Sequence, residues 1–102
     1  MRRAAKRDDN EREIIEALRC AGASVHPIND KGAPDLLVGY AGRNYLMEVK
    51  DGKKPPSKRQ LTPDQVCWHE KWLGTVFIVN NVEEALNALN GETNTIPLTW
   101  TE

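Results

Sequence analysis

The chain has 102 residues, of which 39% are hydrophobic and 28% are charged, and its formal net charge is −1. This balance is typical of a soluble globular domain, and the length allows one domain. No apolar run approaches the roughly 20 residues that cross a bilayer, and the first residues are charged, so we expect neither a membrane span nor a secretory signal. Cys20 and Cys67 lack metal-binding spacing, which indicates a reducing compartment and an ordinary packing role for both.

The charges are unevenly distributed along the chain. Of the 14 Lys and Arg residues, 13 precede position 61, so residues 1–60 have a formal charge of +4 and residues 61–102 one of −5. One positive face on a nearly neutral protein is typical of a protein that binds a phosphate backbone. Solvated flexible segments would give the same composition. The basic residues form two clusters: Arg2, Arg3, Lys6 and Arg7, then Lys53, Lys54, Lys58 and Arg59.

The first half of the chain predicts one helix and three strands. Residues 1–8 have the composition of a flexible basic arm. Apolar residues then repeat at helical spacing and end at Gly22, which predicts a helix over 9–21. Strands are expected over 23–28, 35–40 and 44–50, with a tight turn at 41–43 between the last two.

The second half predicts a helix, a strand and a further helix. After a polar, Pro-rich loop over 51–60, Thr62, Pro63 and Gln65 provide a capping box for a helix that reaches about Leu73. A strand over 75–79 and a helix ending near residue 90 follow, and the alternating apolar residues of the tail 91–102 suit an edge strand. This order predicts one α/β domain over 9–90, with a mixed sheet flanked by helices.

The segment 34–50 contains the candidate catalytic and metal-binding residues. Side chains alternate along a strand, so Glu48 and Lys50 face the same side, and folding the hairpin brings Asp35 opposite residues near Glu48, in a register that the sequence leaves open by one or two positions. Two neighbouring carboxylates repel each other unless a divalent cation lies between them. Mg²⁺ prefers such oxygen ligands, and the Val49 carbonyl is a natural additional one. The segment predicts metal-assisted phosphodiester hydrolysis, with Lys50 acting on the attacking water or the transition state; a surface Glu–Lys pair and a turn aspartate are the structural alternative.

The pattern of Pro34-Asp35, a hairpin and Glu48-Val49-Lys50 resembles the motif of the PD-(D/E)xK nuclease superfamily. Over residues 9–90 the chain is similar to its VRR-NUC group and to related Holliday-junction resolvases, although the three-residue signature of that group is not evident after Lys50. The resemblance implies a restriction-endonuclease-like core in the order α-β-β-β-α-β. It implies a DNA endonuclease that uses Mg²⁺, or Mn²⁺ as a substitute, and no small-molecule cofactor. It also implies that the substrate is branched DNA, acted on during repair in the cytoplasm of a bacterium or of a phage-infected host. A homodimer is expected on physical grounds, since a two-fold dimer supplies two sites for the two symmetry-related strands of a junction.

The resemblance adds two residues to the expected site. Glu11 opens a Glu-Arg-Glu run like that of the resolvases, which implies a catalytic and metal-binding role. Its helical spacing with Ile15 and Leu18 places it on the inward face, while a favourable interaction with the helix dipole is the structural alternative. Gln65 matches a glutamine that acts near the metal or the scissile phosphate in the VRR-NUC group. The capping box also explains Gln65 without any such role.

DNA contacts are expected from basic residues near this hairpin. Lys53, Lys54, Lys58 and Arg59 follow the strand that carries Glu48, and a loop there would lie over the substrate backbone. His26 and Lys31 precede Asp35 and are further candidates for phosphate contacts. The spacing of Trp68 and Trp72 favours a core or dimer-interface role over base stacking.

Two other functions stay open at the level of sequence. One is a nuclease with a different substrate, either a flap or single-strand nuclease or a restriction-like enzyme. The other is a non-catalytic DNA-binding module on a nuclease fold, which the presence of Asp35, Glu48 and Lys50 disfavours. A panel of DNA substrates distinguishes the nucleases from one another. Absence of Mg²⁺ or Mn²⁺ binding would indicate the non-catalytic module.

Overall fold

The computed structural model describes residues 9–91, and the expectations for the arm at 1–8 and for most of the tail concern residues outside this range. Three helices and one four-stranded sheet follow in the predicted order, so a small α/β domain with a mixed sheet is confirmed. No helix among residues 9–91 is long and apolar enough to cross a membrane. The elements are α1 (Glu11–Cys20), β1 (Ser24–Pro27), β2 (Leu36–Tyr40), β3 (Arg43–Val49), a 3₁₀ turn (Pro56–Lys58), α2 (Pro63–Lys71), β4 (Phe77–Val79) and α3 (Val82–Leu89).

The sheet has the strand order β1-β2-β3-β4, with antiparallel pairs except for the parallel pair of β3 and β4. The β2–β3 hairpin turns at Ala41 and Gly42, whose φ angles are +50° and +80°. Two-residue turns with positive φ at both positions match the twist of paired strands and fix their register. Leu36 accordingly lies opposite Met47. Continuing this register by one residue sets Asp35 across from Glu48.

The hydrophobic core lies between one face of the sheet and helices α1 and α3. Leu36 and Val38 of β2 are fully buried, whereas Leu37 between them is 40% exposed, as expected for a strand with one face on the core. Glu48 and Lys50 alternate with the core residues of β3 and therefore lie on the opposite face. The buried core comprises Ile14, Leu18, Ala23, Leu36, Val38, Met47, Val49, Val79, Ala85, Ala88 and Leu89.

Helix α2 covers part of that opposite face and begins with the predicted capping box. The Gln65 amide N–H donates to Thr62 Oγ1 at 3.3 Å, and the Thr62 N–H donates to Gln65 Oε1 at 2.9 Å. The helix ends at Lys71, before the predicted Leu73, because Trp72 has an extended backbone with ψ of 124°. Gly32 allows the preceding loop to approach the first turn closely, since a Cβ there would lie 2.7 Å from the Asp64 carbonyl oxygen.

The packing role expected for the cysteines is wrong, because Cys20 and Cys67 are both exposed and neither fills the core. A core role for the tryptophans is also wrong, because Trp72 is 40% exposed, Trp68 is half-buried and neither belongs to the core cluster. The physical reason is that α2 turns Gln65 and His69 toward the sheet, which leaves the two tryptophans on another side of the helix. Their role in a dimer interface stays a prediction.

Candidate active site

Asp35 and the end of β3 are joined by a hydrogen bond between a side chain and the backbone. The Val49 N–H donates to Asp35 Oδ2 at 2.8 Å. Asp35 is half-buried, and Glu48, opposite it in the continued register, is 1% exposed. The hairpin therefore brings both predicted carboxylates to one end of the β2–β3 pair, as the sequence indicates.

Glu48, Lys50 and Gln65 form a hydrogen-bonded network on the face of the sheet beneath α2. Gln65 Nε2 donates to Glu48 Oε2 at 2.7 Å, and Lys50 Nζ donates to Gln65 Oε1 at 3.0 Å. Lys50 Nζ also lies 3.7 Å from Glu48 Oε2, which makes an ion pair. Because Gln65 Oε1 also accepts from the Thr62 N–H, Gln65 both caps α2 and holds the charged pair. The structural and the functional interpretations of Gln65 are therefore compatible.

Burial makes this network energetically demanding. Glu48 is 1% and Lys50 is 8% exposed. Removing a carboxylate and an ammonium from water costs several kcal/mol each, and their mutual attraction and hydrogen bonds offset that cost only in good geometry. A surface Glu–Lys pair, the structural alternative for these residues, is therefore wrong. Buried charges in a cluster are typical of sites that bind or react.

Helix α1 is attached to the same end of β3 through its N-terminus. Asn10 Nδ2 donates to the Lys50 carbonyl at 3.1 Å and to the Asn80 carbonyl at 3.0 Å. Glu11, the next residue, is 5% exposed, which confirms that it faces inward. Glu13 and Glu16 are exposed, as the helical spacing predicts. A role for Glu11 in metal binding or catalysis stays a prediction.

His69 belongs to this region and was not among the site residues predicted from the sequence. It lies one helical turn after Gln65 and is 6% exposed, and neither ring nitrogen has a hydrogen-bond partner among residues 9–91. Burial lowers the pKa of His69 below its ordinary value, the nearby Lys50 ammonium lowers it further, and the Asp35 carboxylate opposes both effects. The spacing of four residues from Gln65 was the available signal, since residues i and i+4 share a helix face.

The predicted DNA-contacting residues are distributed around the site. Lys53, Lys54 and Lys58 are exposed on the segment that follows β3, and Arg59 is half-buried with its Nε donating to the Lys54 carbonyl at 2.8 Å. His26 is exposed on β1. Lys31 Nζ lies 3.4 Å from Asp64 Oδ2 at the start of α2.

The oxygen atoms at this end of the hairpin are of the types that Mg²⁺ prefers as ligands. Mg²⁺ in proteins usually takes one or two carboxylates and completes its shell with waters and substrate phosphate. Asp35 and Glu48 supply two carboxylates, and the Val49 carbonyl is the adjacent backbone oxygen. Residues 9–91 contain no group of three or more His, Cys, Asp or Glu side chains arranged to hold a metal ion. A cation here would therefore use this small protein donor set.

Comparisons with known proteins provide no family assignment: no protein-family model, curated protein or solved structure matches the chain.

Proposed function

We propose that this protein is a divalent-metal-dependent DNA endonuclease with a restriction-endonuclease-like core. The observation that carries the proposal is the pair of hydrogen bonds by which Gln65 donates to Glu48 and accepts from Lys50, at the hairpin end where Asp35 accepts from the Val49 amide. Buried charge of both signs, on Glu48 and Lys50, is maintained there beside the half-buried carboxylate of Asp35. That arrangement is costly for a fold and useful for hydrolysing a phosphodiester.

The side chains have distinct roles in the proposed reaction. Asp35, Glu48 and the Val49 carbonyl would hold Mg²⁺ or Mn²⁺, which when bound lowers the pKa of a water and offsets charge on the phosphate. Lys50 orients the attacking water or stabilises negative charge that develops on the phosphate oxygens. Gln65 fixes the directions of both Glu48 and Lys50, and Glu11 at the start of α1 is a further candidate ligand.

The proposed substrate is branched DNA such as a four-way junction. The support for this choice is the resemblance to resolvases, together with the exposed Lys53, Lys54 and Lys58 beside the site. A four-way junction has two equivalent strands to cut, and a two-fold homodimer would supply two matching sites. The same resemblance supports a role in DNA repair in bacterial or phage-infected cytoplasm.

A nicking assay on labelled DNA tests the proposal. The wild-type protein is incubated with a four-way junction, a flap, a nicked duplex and a linear duplex, with Mg²⁺ or with EDTA. We expect metal-dependent cutting of the junction ahead of the linear duplex. Glu48→Gln should remove cutting but not junction binding, whereas Glu83→Gln, at an exposed glutamate of α3, should cut as the wild type does. Undiminished cutting by Glu48→Gln would refute the mechanism, and preference for the flap would reassign the substrate.

A non-catalytic DNA-binding module is the second candidate, and one observation favours it. The Glu48 carboxylate already accepts a hydrogen bond from Gln65 and forms an ion pair with Lys50. Its negative charge is therefore compensated within the protein without a metal ion. The same assay separates the two candidates. A module would bind the junction and leave it uncut in both Mg²⁺ and Mn²⁺.

A further inference from the structure

A groove runs along α2 on the side where the two tryptophans lie. It encloses about 440 Å³, which lies within the range of small-molecule and nucleotide sites. Its lining combines large aromatic surface with charged groups at the rim, and none of these residues takes part in the Glu48–Gln65–Lys50 network. The groove is lined by Lys31, Asp64, Cys67, Trp68, Lys71 and Trp72.

The two tryptophans form an aromatic stack that is partly open to solvent. The rings of Trp68 and Trp72 have centroids 5.0 Å apart and planes inclined by 21°. Trp72 is 40% exposed, so the stack is not completed by core residues. Partly exposed indole rings of this kind are surfaces on which nucleic-acid bases stack, and they accept every base because each base has a π face.

The charges at the rim match the phosphate that accompanies a base. Lys31 and Lys71 are both exposed, and Asp64, the one carboxylate among the described residues that line the groove, is paired with Lys31 at 3.4 Å. The groove therefore has a net positive charge beside an aromatic surface. Base-stacking residues next to cationic groups are the usual composition of single-strand binding sites.

The groove is coupled to the candidate active site through α2. The rings of Trp68 and His69 meet edge to face, with centroids 5.3 Å apart, and His69 is buried one helical turn after Gln65. Trp72 is the residue that follows the last residue of α2.

We propose that this groove binds an unpaired base of a DNA strand by stacking it on Trp72, with Lys31 and Lys71 contacting the adjacent phosphates. The inference rests on the proposed DNA endonuclease function and narrows its substrate within branched DNA. A stacking site at the end of the helix that carries Gln65 favours branched substrates with unpaired bases, such as a flap, over a four-way junction whose arms are fully paired. Fully paired duplex presents no free base face to Trp72.

Binding is measured first, in EDTA, so that no cleavage is involved. An eight-nucleotide single strand of thymidines and a fully paired hairpin duplex are titrated into the whole protein, with tryptophan fluorescence and anisotropy as readouts. We expect the single strand to quench fluorescence. Trp72→Ala should weaken single-strand binding by about tenfold or more and leave duplex binding unchanged. Trp72→Phe should restore most of the affinity, and Leu73→Ala, at a neighbour that is 98% exposed and does not line the groove, should resemble the wild type.

A second variant, Lys71→Ala, and sedimentation velocity test the groove independently of Trp72→Ala binding. Lys71→Ala preserves the aromatic pair and should still weaken single-strand binding, so the groove can be tested even if Trp72→Ala fails to fold. Sedimentation velocity of the wild type and Trp72→Ala identifies the competing occupant, a second copy of the chain. Unchanged single-strand affinity in both variants, or a dimer that dissociates on Trp72→Ala, would overturn the proposal.

Cutting assays in Mg²⁺ separate this inference from the function on which it rests. The wild type should cut a flapped duplex faster than a fully paired nicked duplex, and Trp72→Ala should lose that difference while still cutting the paired substrate. If the wild type cuts both and the variant keeps the difference, the groove proposal fails and the endonuclease stands. If the wild type cuts neither but its single-strand binding depends on Trp72, the endonuclease fails and the groove stands.

Discussion

Gln65 Nε2 donates a 2.7 Å hydrogen bond to Glu48 Oε2, joining the first turn of α2 to β3. This bond directs the Glu48 carboxylate from a helix that follows it by 17 residues. The other end of the same amide accepts from Lys50. One neutral side chain therefore sets the geometry of two buried charges, and the position of α2 is coupled to the site.

Substitution of Gln65 should affect activity beyond its effect on helix stability. Gln65→Ala removes the cap and the bonds to Glu48 and Lys50, so we expect nicking to fall about 10- to 100-fold, as for partners that orient metal ligands. Thr62→Ala is the matched control, because it breaks the capping box without touching Glu48. It should cost about 1 kcal/mol of stability and leave the nicking rate at saturating DNA unchanged. Equal rate losses in the two variants would show that Gln65 acts only as a cap.

Asn10 should contribute strongly to stability. Its side-chain amide joins α1 to the Lys50 and Asn80 carbonyls, so Asn10→Ala leaves two partly buried acceptors without that donor. We expect a loss of about 1–3 kcal/mol in the free energy of unfolding, measured by urea denaturation. Asn10→Asp should cost more, because a carboxylate beside two carbonyl oxygens repels them. A loss below about 0.5 kcal/mol in both variants would contradict the assigned bonds.

The stability of the protein should depend on pH through His69. Since its pKa is lowered in the fold, the unfolded chain takes up a proton at a higher pH than the native chain does. The contribution of His69 to the free energy of unfolding is therefore fully present above about pH 6.5, and it is lost as the pH falls toward the pKa of His69 in the folded protein. Urea unfolding at pH 7.5 and at pH 5.5 measures the loss.

Two histidine variants assign that loss to a residue. His69→Gln should reduce the difference in stability between the two pH values, because it removes the group that titrates. His26→Gln, at the exposed histidine of β1, should keep the wild-type difference. If His69→Gln loses as much stability on acidification as the wild type, His69 is not the source.

The basic segment after β3 should determine the salt dependence of DNA binding. Each lysine that neutralises a phosphate contributes about 0.9 to the slope of log affinity against log salt. Lys53→Ala and Lys58→Ala should each reduce the slope by that amount, measured by anisotropy from 50 to 200 mM salt. Arg43→Ala is the charge-matched control, since Arg43 is exposed at the opposite end of the hairpin. An equal reduction in Arg43→Ala would indicate a nonspecific charge effect.

Local signals were sufficient to predict the order of the elements and a small α/β domain with a mixed sheet, because each one fixes the backbone within a few residues. Thr62, Pro63 and Gln65 define the start of α2 by themselves. The strand expected over 75–79 begins only at Phe77, because the ladder with β3 starts at the pair of Met47 and Phe77. Such ends depend on a partner strand that lies far away in the sequence.

The candidate site could be predicted in part for the same reason. The spacing of Asp35, Glu48 and Lys50 is set within one hairpin, so strand alternation brings them together. The four-residue spacing relates His69 to Gln65, but it does not show which side of α2 faces the sheet, because that depends on contacts with β3. The hydrogen bonds that Gln65 makes with Glu48 and Lys50 fix that side.

Calorimetric titration of Mn²⁺ into the free protein tests the central claim most directly. We expect about one Mn²⁺ per chain in the wild type and an affinity lowered about tenfold or more in Asp35→Asn and in Glu48→Gln, with Glu83→Gln unchanged. Mn²⁺ binding that is absent from the wild type, or equal in all four proteins, would contradict the claim that Asp35 and Glu48 jointly hold the cation.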